Sequence, residues 1–128
     1  MEAISKARFV RIAPRKTRLV IGLIRGLTIE AARRQLLVST KISAKPVLKA
    51  LNSAVANAVN NLKLDEKSLM VSKAFVDEGP KIKRHTPRAQ GRATPIRLRM
   101  SHITIVVSAG AEAKKVKKAV NKKKASAA

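Results

Sequence analysis

Cysteine, tryptophan and tyrosine are absent from this chain, which also has only two phenylalanines, two histidines and seven acidic residues. Each shortage removes a class of chemistry. Without cysteine there is no disulfide framework, thiolate zinc site, iron–sulfur cluster or cysteine nucleophile, a composition at home in a reducing cytosol. Two histidines cannot build a histidine-rich metal cage. No apolar run approaches the roughly 18 residues that span a bilayer, and the opening MEAISKARFV lacks a signal peptide's apolar stretch. The expectation is a soluble, intracellular protein with no cofactor and no metal.

What the chain does have is positive charge. Its 128 residues carry 29 lysines and arginines, for a formal net charge of +22, while 45% of the residues are apolar. A chain of this length suits one domain that buries roughly 65–70% of its unfolded surface. So many uncompensated cations repel one another, and a polyanion such as nucleic acid would relieve them. The signs are also segregated. Residues 79–100 hold seven cations and no acid, and residues 113–128 hold seven lysines and no acid. Residues 27–78 are nearly balanced, with eight cations and five acids, like an ordinary domain body.

The scarcity of aromatics narrows the kind of recognition. Phe9 and Phe75 both fall in strand-like alternation and are assigned to the core, which leaves no rings for a base-stacking platform. Recognition by shape and phosphate charge remains.

Alternation over residues 2–10 predicts a strand. Pro14 then suits a first helical turn, and Leu19, Val20, Leu23, Ile24 and Leu27 recur at helical spacing up to a cap at Gly26. Arg15, Lys16 and Arg18, with Arg11 just before them, crowd the positive end of that helix dipole, an arrangement that an external phosphate explains. Thr28 is placed as the N-cap of a second helix with Ile29, Ala32, Leu36 and Leu37 as its stripe. Ser43 is placed as the cap of a third helix, whose buried face runs from Val47 to Leu62; Asn57, Asn60 and Asn61 near its end are taken as helix-stop and solvent-facing amides. Strand patterns follow at Ser68–Asp77, with Leu69, Val71 and Phe75 on one side and Met70, Ala74 and Val76 on the other, and at Ser101–Ser108. Two helices or more packed on a three-stranded antiparallel sheet give a compact α+β domain.

Between those two strands lies a segment far longer than the two to five residues of an ordinary hairpin loop. Ile82 alternates with Lys81 and Lys83, and Ile96, Leu98 and Met100 alternate with Arg97 and Arg99. The strands are thus predicted to continue outward as a protruding β-hairpin over about residues 78–101, with a tip around Arg84–Pro95. Gly79, Pro80, Pro87, Gly91 and Pro95 would shape its base and tip. The whole of residues 1–109 forms one domain, and residues 110–128 a lysine-rich tail. Asp77 and Glu78 are expected to anchor arginines at the ribbon's root. Lys81 and Lys83 near Arg97 and Arg99 oppose pairing of a ribbon already marginal in water, so phosphates are expected to hold it.

Several segments resemble the bacterial L twenty-two family of large-subunit ribosomal proteins. They are Phe75-Val76-Asp77-Glu78-Gly79-Pro80, Lys83-Arg84, Pro87-Arg88-Ala89, Gly91-Arg92-Ala93 and Ser101-His102-Ile103-Thr104-Ile105-Val106-Val107, with support from Arg15-Lys16 to Arg25-Gly26 and from Ser53 to Ala58. The resemblance implies an α+β fold, a three-stranded antiparallel sheet packed on three helices with a long protruding β-hairpin. It also implies a body near the mouth of the peptide exit tunnel and a hairpin running through 23S-type rRNA to form part of the tunnel wall, beside the macrolide region. It implies rRNA contacts at Lys83, Arg84, Arg88, Gly91 and Arg92, to which charge and position add Arg11, Arg15, Lys16, Arg18, Lys81, Gln90, Arg97 and Arg99. The implied partners are large-subunit rRNA, neighbouring ribosomal proteins and the passing nascent peptide, in the cytoplasm, with no membrane and no homo-oligomer.

An enzyme is not expected: His85, His102, Asp77 and Glu78 form no nucleophile motif, phosphate-cradling glycine loop or metal-ligand spacing. The rival is an architectural DNA-bending protein with basic β-arms and a proline wedge at Pro87 or Pro95. Such proteins are dimers that prefer duplex DNA, which gel filtration and competition with folded rRNA would reveal.

Overall fold

A computed structural model describes residues 1–110, so the lysine-rich tail expected at 110–128 lies, but for Gly110, outside the described residues. The chain runs β1 (Glu2–Val10), α1 (Pro14–Ile24), α2 (Ile29–Val38), α3 (Ala44–Leu62), β2 (Leu69–Pro87) and β3 (Ala93–Ala109). Both neighbours of β3 are antiparallel to it, giving the sheet order β1-β3-β2. The three helices pack on one face of that sheet, α3 mainly against β1 and α1 against β2. This is the α+β fold that the periodicities predict, and the outer halves of β2 and β3 form the long hairpin.

The core lies between that face and the helices. Ile21, Ile24, Leu51, Leu69, Ile103 and Ile105 are fully buried there, each contributing about 1.5–3 kcal/mol from removal of apolar surface from water. On α1 the buried stripe is Thr17, Val20, Ile21 and Ile24, while Leu19 is 70% exposed and Leu23 is also exposed. The expected stripe was therefore rotated by about one residue. Thr17 is tolerated inside because its hydroxyl donates to the Ala13 carbonyl at 3.2 Å. Leu37 likewise faces solvent, leaving Ile29, Ala32 and Leu36 to anchor α2. Thr28 and Ser43 precede their helices as expected, but neither side chain caps.

Strand irregularities correct two further expectations. The β2–β3 register shifts by one residue between Val71 and Lys73, where the Ser72 hydroxyl donates to the Val106 carbonyl. A bulge inverts the phase of alternation. Leu69 and Val71 before it and Ala74 and Val76 after it all reach the core, and Phe75 is turned outward with 42% of its surface exposed. A second shift, between Ala7 and Val10, leaves Phe9 outside the core as well, at 57% exposure. Asn57 is also not simply solvent-facing. Its amide donates to the Ile4 carbonyl at 3.0 Å and ties α3 to the edge strand β1.

The other edge, β2, is closed from α1 and the turn after it. Arg18 donates to the Val76 carbonyl through both Nε and a terminal nitrogen, and Arg25 Nε donates to the Ala74 carbonyl at 2.7 Å. Gly26 and Leu27 extend the edge through backbone bonds to Val71, Gly26 N–H to Val71 O and Val71 N–H to Leu27 O, both 3.0 Å. Gly26 adopts φ +73°, which a side chain disfavours, and this is what turns the chain from α1 onto the sheet edge. An edge covered in this way offers no row of free carbonyls to another chain.

Candidate nucleic-acid interface

The hairpin leaves the body at a third register shift, between Glu78 and Lys81. Gly79 and Pro80 occupy it. Proline has no N–H to give a ladder, so a bulge is where a strand accommodates it. A β-carbon on Gly79 would stand 3.1 Å from the Met100 carbonyl carbon, so any other residue here requires β3 to give way by a few tenths of an ångström.

Beyond that point seven residue pairs continue from Lys81↔Arg99 to Pro87↔Ala93, an arm of about 23 Å at the usual strand rise. Pairing extends through Pro87 and Pro95, so the tip is shorter than the expected Arg84–Pro95 and comprises only Arg88–Arg92. There the Arg88 N–H donates to the Arg92 carbonyl at 2.7 Å, while Gln90 and Gly91 turn the chain with φ +61° and +69°. Arg88 Nε also donates to the Thr94 hydroxyl at 3.3 Å, which steadies the tip.

Because paired residues share a face, the ribbon has two unlike sides. Lys81 with Arg99 and Lys83 with Arg97 make one side cationic. Ile82 with Leu98 and Arg84 with Ile96 make the other largely apolar. That second side overlooks the body across a cleft of about 880 Å³, where Ile82, Leu98 and Met100 face Leu19 and Ile42. Arg11, Lys16, Lys41, Arg84, Arg97 and Arg99 also line the cleft, and no acid does. An apolar floor with a cationic rim suits a ligand that combines flat or sugar-like surfaces with phosphates.

The predicted contact residues Arg11, Arg15, Lys16, Lys81, Lys83, Arg84, Gln90, Arg92, Arg97 and Arg99 are all exposed. Among the described residues the ion pairs are Arg33–Glu66, Arg34–Glu30 and Lys73–Glu2, so none of these cations forms a salt bridge among them. Arg18 differs from its neighbours, since its guanidinium is engaged by Val76. Asp77 and Glu78 do not anchor arginines as expected. Both are exposed and take part in none of these salt bridges, while Arg18 and Arg25 reach the β2 carbonyls of Val76 and Ala74 instead. Lys41 was missed from sequence because it lies in the α2–α3 connection, far along the chain from the ribbon; only folding brings it to the cleft. Among the described residues no group of three or more His, Asp or Glu is placed to hold a metal, and no helix is long and apolar enough to cross a membrane.

A family model described as Ribosomal protein L22p/L17e matches residues 5–108. The Large ribosomal subunit protein uL22 of Syntrophus aciditrophicus (strain SB) is 52% identical over 107 residues, covering 84% of this chain and 97% of that relative. The protein of the same name from Thermus thermophilus is 54% identical over 107 residues, covering 84% of this chain and 95% of its own length. These relatives are ribosomal proteins and not enzymes. The matched span takes in most of β1, all three helices, the bulged root, the whole ribbon and nearly all of β3, and on that basis the chain belongs to the ribosomal protein L22p/L17e family.

Proposed function

We propose that this chain is a structural constituent of the large ribosomal subunit that binds and organises 23S-type rRNA during assembly, in the cytoplasm. Its ribbon lies among rRNA segments and forms part of the exit-tunnel wall past which the nascent peptide moves, while the helical body sits near the tunnel mouth against neighbouring ribosomal proteins. The observation that carries this reading is the direct opposition of Lys81 to Arg99 and of Lys83 to Arg97 on a ribbon without a single acid. Such pairs weaken the hairpin in isolation. Phosphate oxygens between them reverse the sign of the interaction, with arginine forking onto two oxygens at a time.

The residues proposed to touch rRNA are Arg11 and Lys16 in the cleft, Arg15 at the start of α1, Lys81, Lys83, Arg84, Arg97 and Arg99 along the ribbon, and Arg88, Gln90 and Arg92 at the tip. Arg18 joins them only through whatever its bond to Val76 leaves free. Gly79, Pro80, Pro87, Gly91 and Pro95 shape the backbone that presents them.

Binding of the full chain to transcribed large-subunit rRNA, measured across salt concentrations, tests this directly. Neutralising about ten phosphates gives a log–log slope near −9. A flat response, or tight dimeric binding to duplex DNA in preference to rRNA, would refute the proposal. Density for residues 80–98 within an intact large subunit would place the ribbon.

A further inference from the structure

The sheet face turned away from the helices carries cross-strand rows, Ile4–Val106–Lys73 and Lys6–Thr104–Phe75, followed by His102 opposite Asp77 with Phe9 at their β1 end. Both phenylalanines of the chain are therefore on the uncovered side. A core strand gains more from burying phenylalanine than from almost any other side chain, so this placement sacrifices stability.

Phe9 is the more unusual of the two. It sits in the bulge between Ala7 and Val10 at φ +57°, a left-handed conformation that is costly for a bulky residue. The surroundings hold it there. Its N–H donates to His102 Nδ1 at 3.0 Å, and the two rings meet edge to face, with centroids 5.0 Å apart and planes at 88°. The Arg8 guanidinium carbon lies 5.8 Å from the Phe9 ring centre, within cation–π range. With 57% of its surface still exposed, the ring is fixed in orientation and open to a ligand. Backbone strain retained by surrounding contacts is a mark of a ligand-holding position.

We infer that Phe9 is a stacking platform for one unpaired nucleobase, with Arg8 reaching the adjoining phosphate. The inference rests on the RNA-binding reading and adds a site and a ligand chemistry to it. A planar base is the occupant because the ring is presented against His102 and beside the Arg8 guanidinium, one residue from Val10, which pairs with Ser101 at the root of the cationic ribbon. A base of any identity has a face to stack, so the site needs no base-edge hydrogen bonds. A purely apolar protein surface would gain more from the Ile4–Val106 row than from a ring flanked by Arg8.

The test compares wild-type, Phe9→Leu, Phe9→Tyr and Phe9→Trp chains for binding to transcribed large-subunit rRNA, and maps photocrosslinks from transcripts made in turn with 5-iodouridine, 5-iodocytidine, 6-thioguanosine and 8-azidoadenosine, so that each base identity is covered. Phe9→Leu weakens binding by about 5- to 150-fold and leaves the salt slope unchanged, because no charge is lost. The Tyr and Trp variants restore affinity, and a crosslink maps to residue 9. Undiminished affinity of Phe9→Leu overturns the stack alone and leaves this face to a neighbouring protein. Should Phe9→Leu fail to fold by thermal melting, the wild-type chain decides, and lack of a crosslink at residue 9 overturns the stack. A wild-type chain that does not bind rRNA overturns the underlying reading as well.

Discussion

Lys83 stands directly across the ribbon from Arg97, and one row nearer the body Lys81 stands across from Arg99. Directly opposed like charges destabilise a two-stranded pair by about 0.2–1 kcal/mol each. Nothing within the ribbon offsets them, since Glu78 lies before the root and no acid follows until beyond residue 100. The hairpin is thus arranged at the expense of its own isolated stability, and an anion between these pairs would stabilise it.

That arrangement predicts opposite effects from one substitution. Lys83→Glu places a carboxylate across from Arg97, so in the free protein amides of residues 81–87 exchange hydrogen more slowly than in wild type, by about 2- to 5-fold for a gain of up to ~1 kcal/mol. The same change removes a phosphate partner and adds repulsion, so rRNA affinity falls and the log–log salt slope loses about one unit or more. Faster exchange in the free variant, or unchanged affinity, would contradict that expectation.

Much of this architecture is legible in the chain itself. The three-and-four spacing of Val47, Leu51, Ala54, Val55 and Ala58 marks α3 because a long amphipathic helix repeats its signal several times. The ribbon is legible from Ile82 and Leu98 set among basic residues. What sequence alone does not show is where a strand changes phase. One inserted residue at Ser72 and one beside Arg8 send Phe75 and Phe9 to the open face, and periodicity averaged over a short window cannot register a single bulge. Short α1 is similarly ambiguous, since Leu19 and Ile21 fit rival stripes and only tertiary contact with β2 selects Ile21. The cleft, finally, joins Lys41 to Arg97 across more than fifty residues, a relation no local pattern contains.

The root of the hairpin is sensitive to a single methyl group. In Gly79→Ala the new carbon would lie 3.1 Å from the Met100 carbonyl carbon and Cβ and 3.2 Å from its oxygen. These are backbone atoms of β3 and the Cβ attached to them, which cannot swing aside as the end of a flexible side chain would. Overpacking of this kind costs about 1–3 kcal/mol. Urea unfolding is expected to show that loss, with accelerated exchange at Lys81 and Arg99 ahead of the core strands; an unchanged midpoint would mean that β3 yields without penalty.

Arg18 and Arg15 are close neighbours on α1 with different work. Arg18 holds the β2 edge through Val76, whereas no hydrogen bond of the Arg15 side chain is made within the described residues. Hydrogen bonds from a charged donor contribute about 1.5–3 kcal/mol, and partial exposure reduces this to roughly 1. Arg18→Ala therefore lowers the thermal midpoint of the free protein by about 4–8 °C, while Arg15→Ala leaves it within a degree or two and weakens rRNA binding instead. Equal melting of the two variants would show that the edge contact contributes nothing.

Ser101 lies where β1, β3 and the ribbon root converge, paired with both Val10 and Glu78. It is fully buried, and its hydroxyl is the one buried side-chain polar atom among the described residues without a hydrogen-bond partner. A hydroxyl desolvated without compensation costs about 1–3 kcal/mol, whereas deleting it removes only one atom's packing. Ser101→Ala is therefore expected to stabilise the free protein, raising its thermal midpoint by roughly 2–5 °C. If the hydroxyl is instead held ready for a group that arrives with the RNA, the same variant binds rRNA more weakly despite its stability, and measuring melting and affinity on one preparation separates the two contributions. A lower melting temperature would show that the hydroxyl is satisfied in solution.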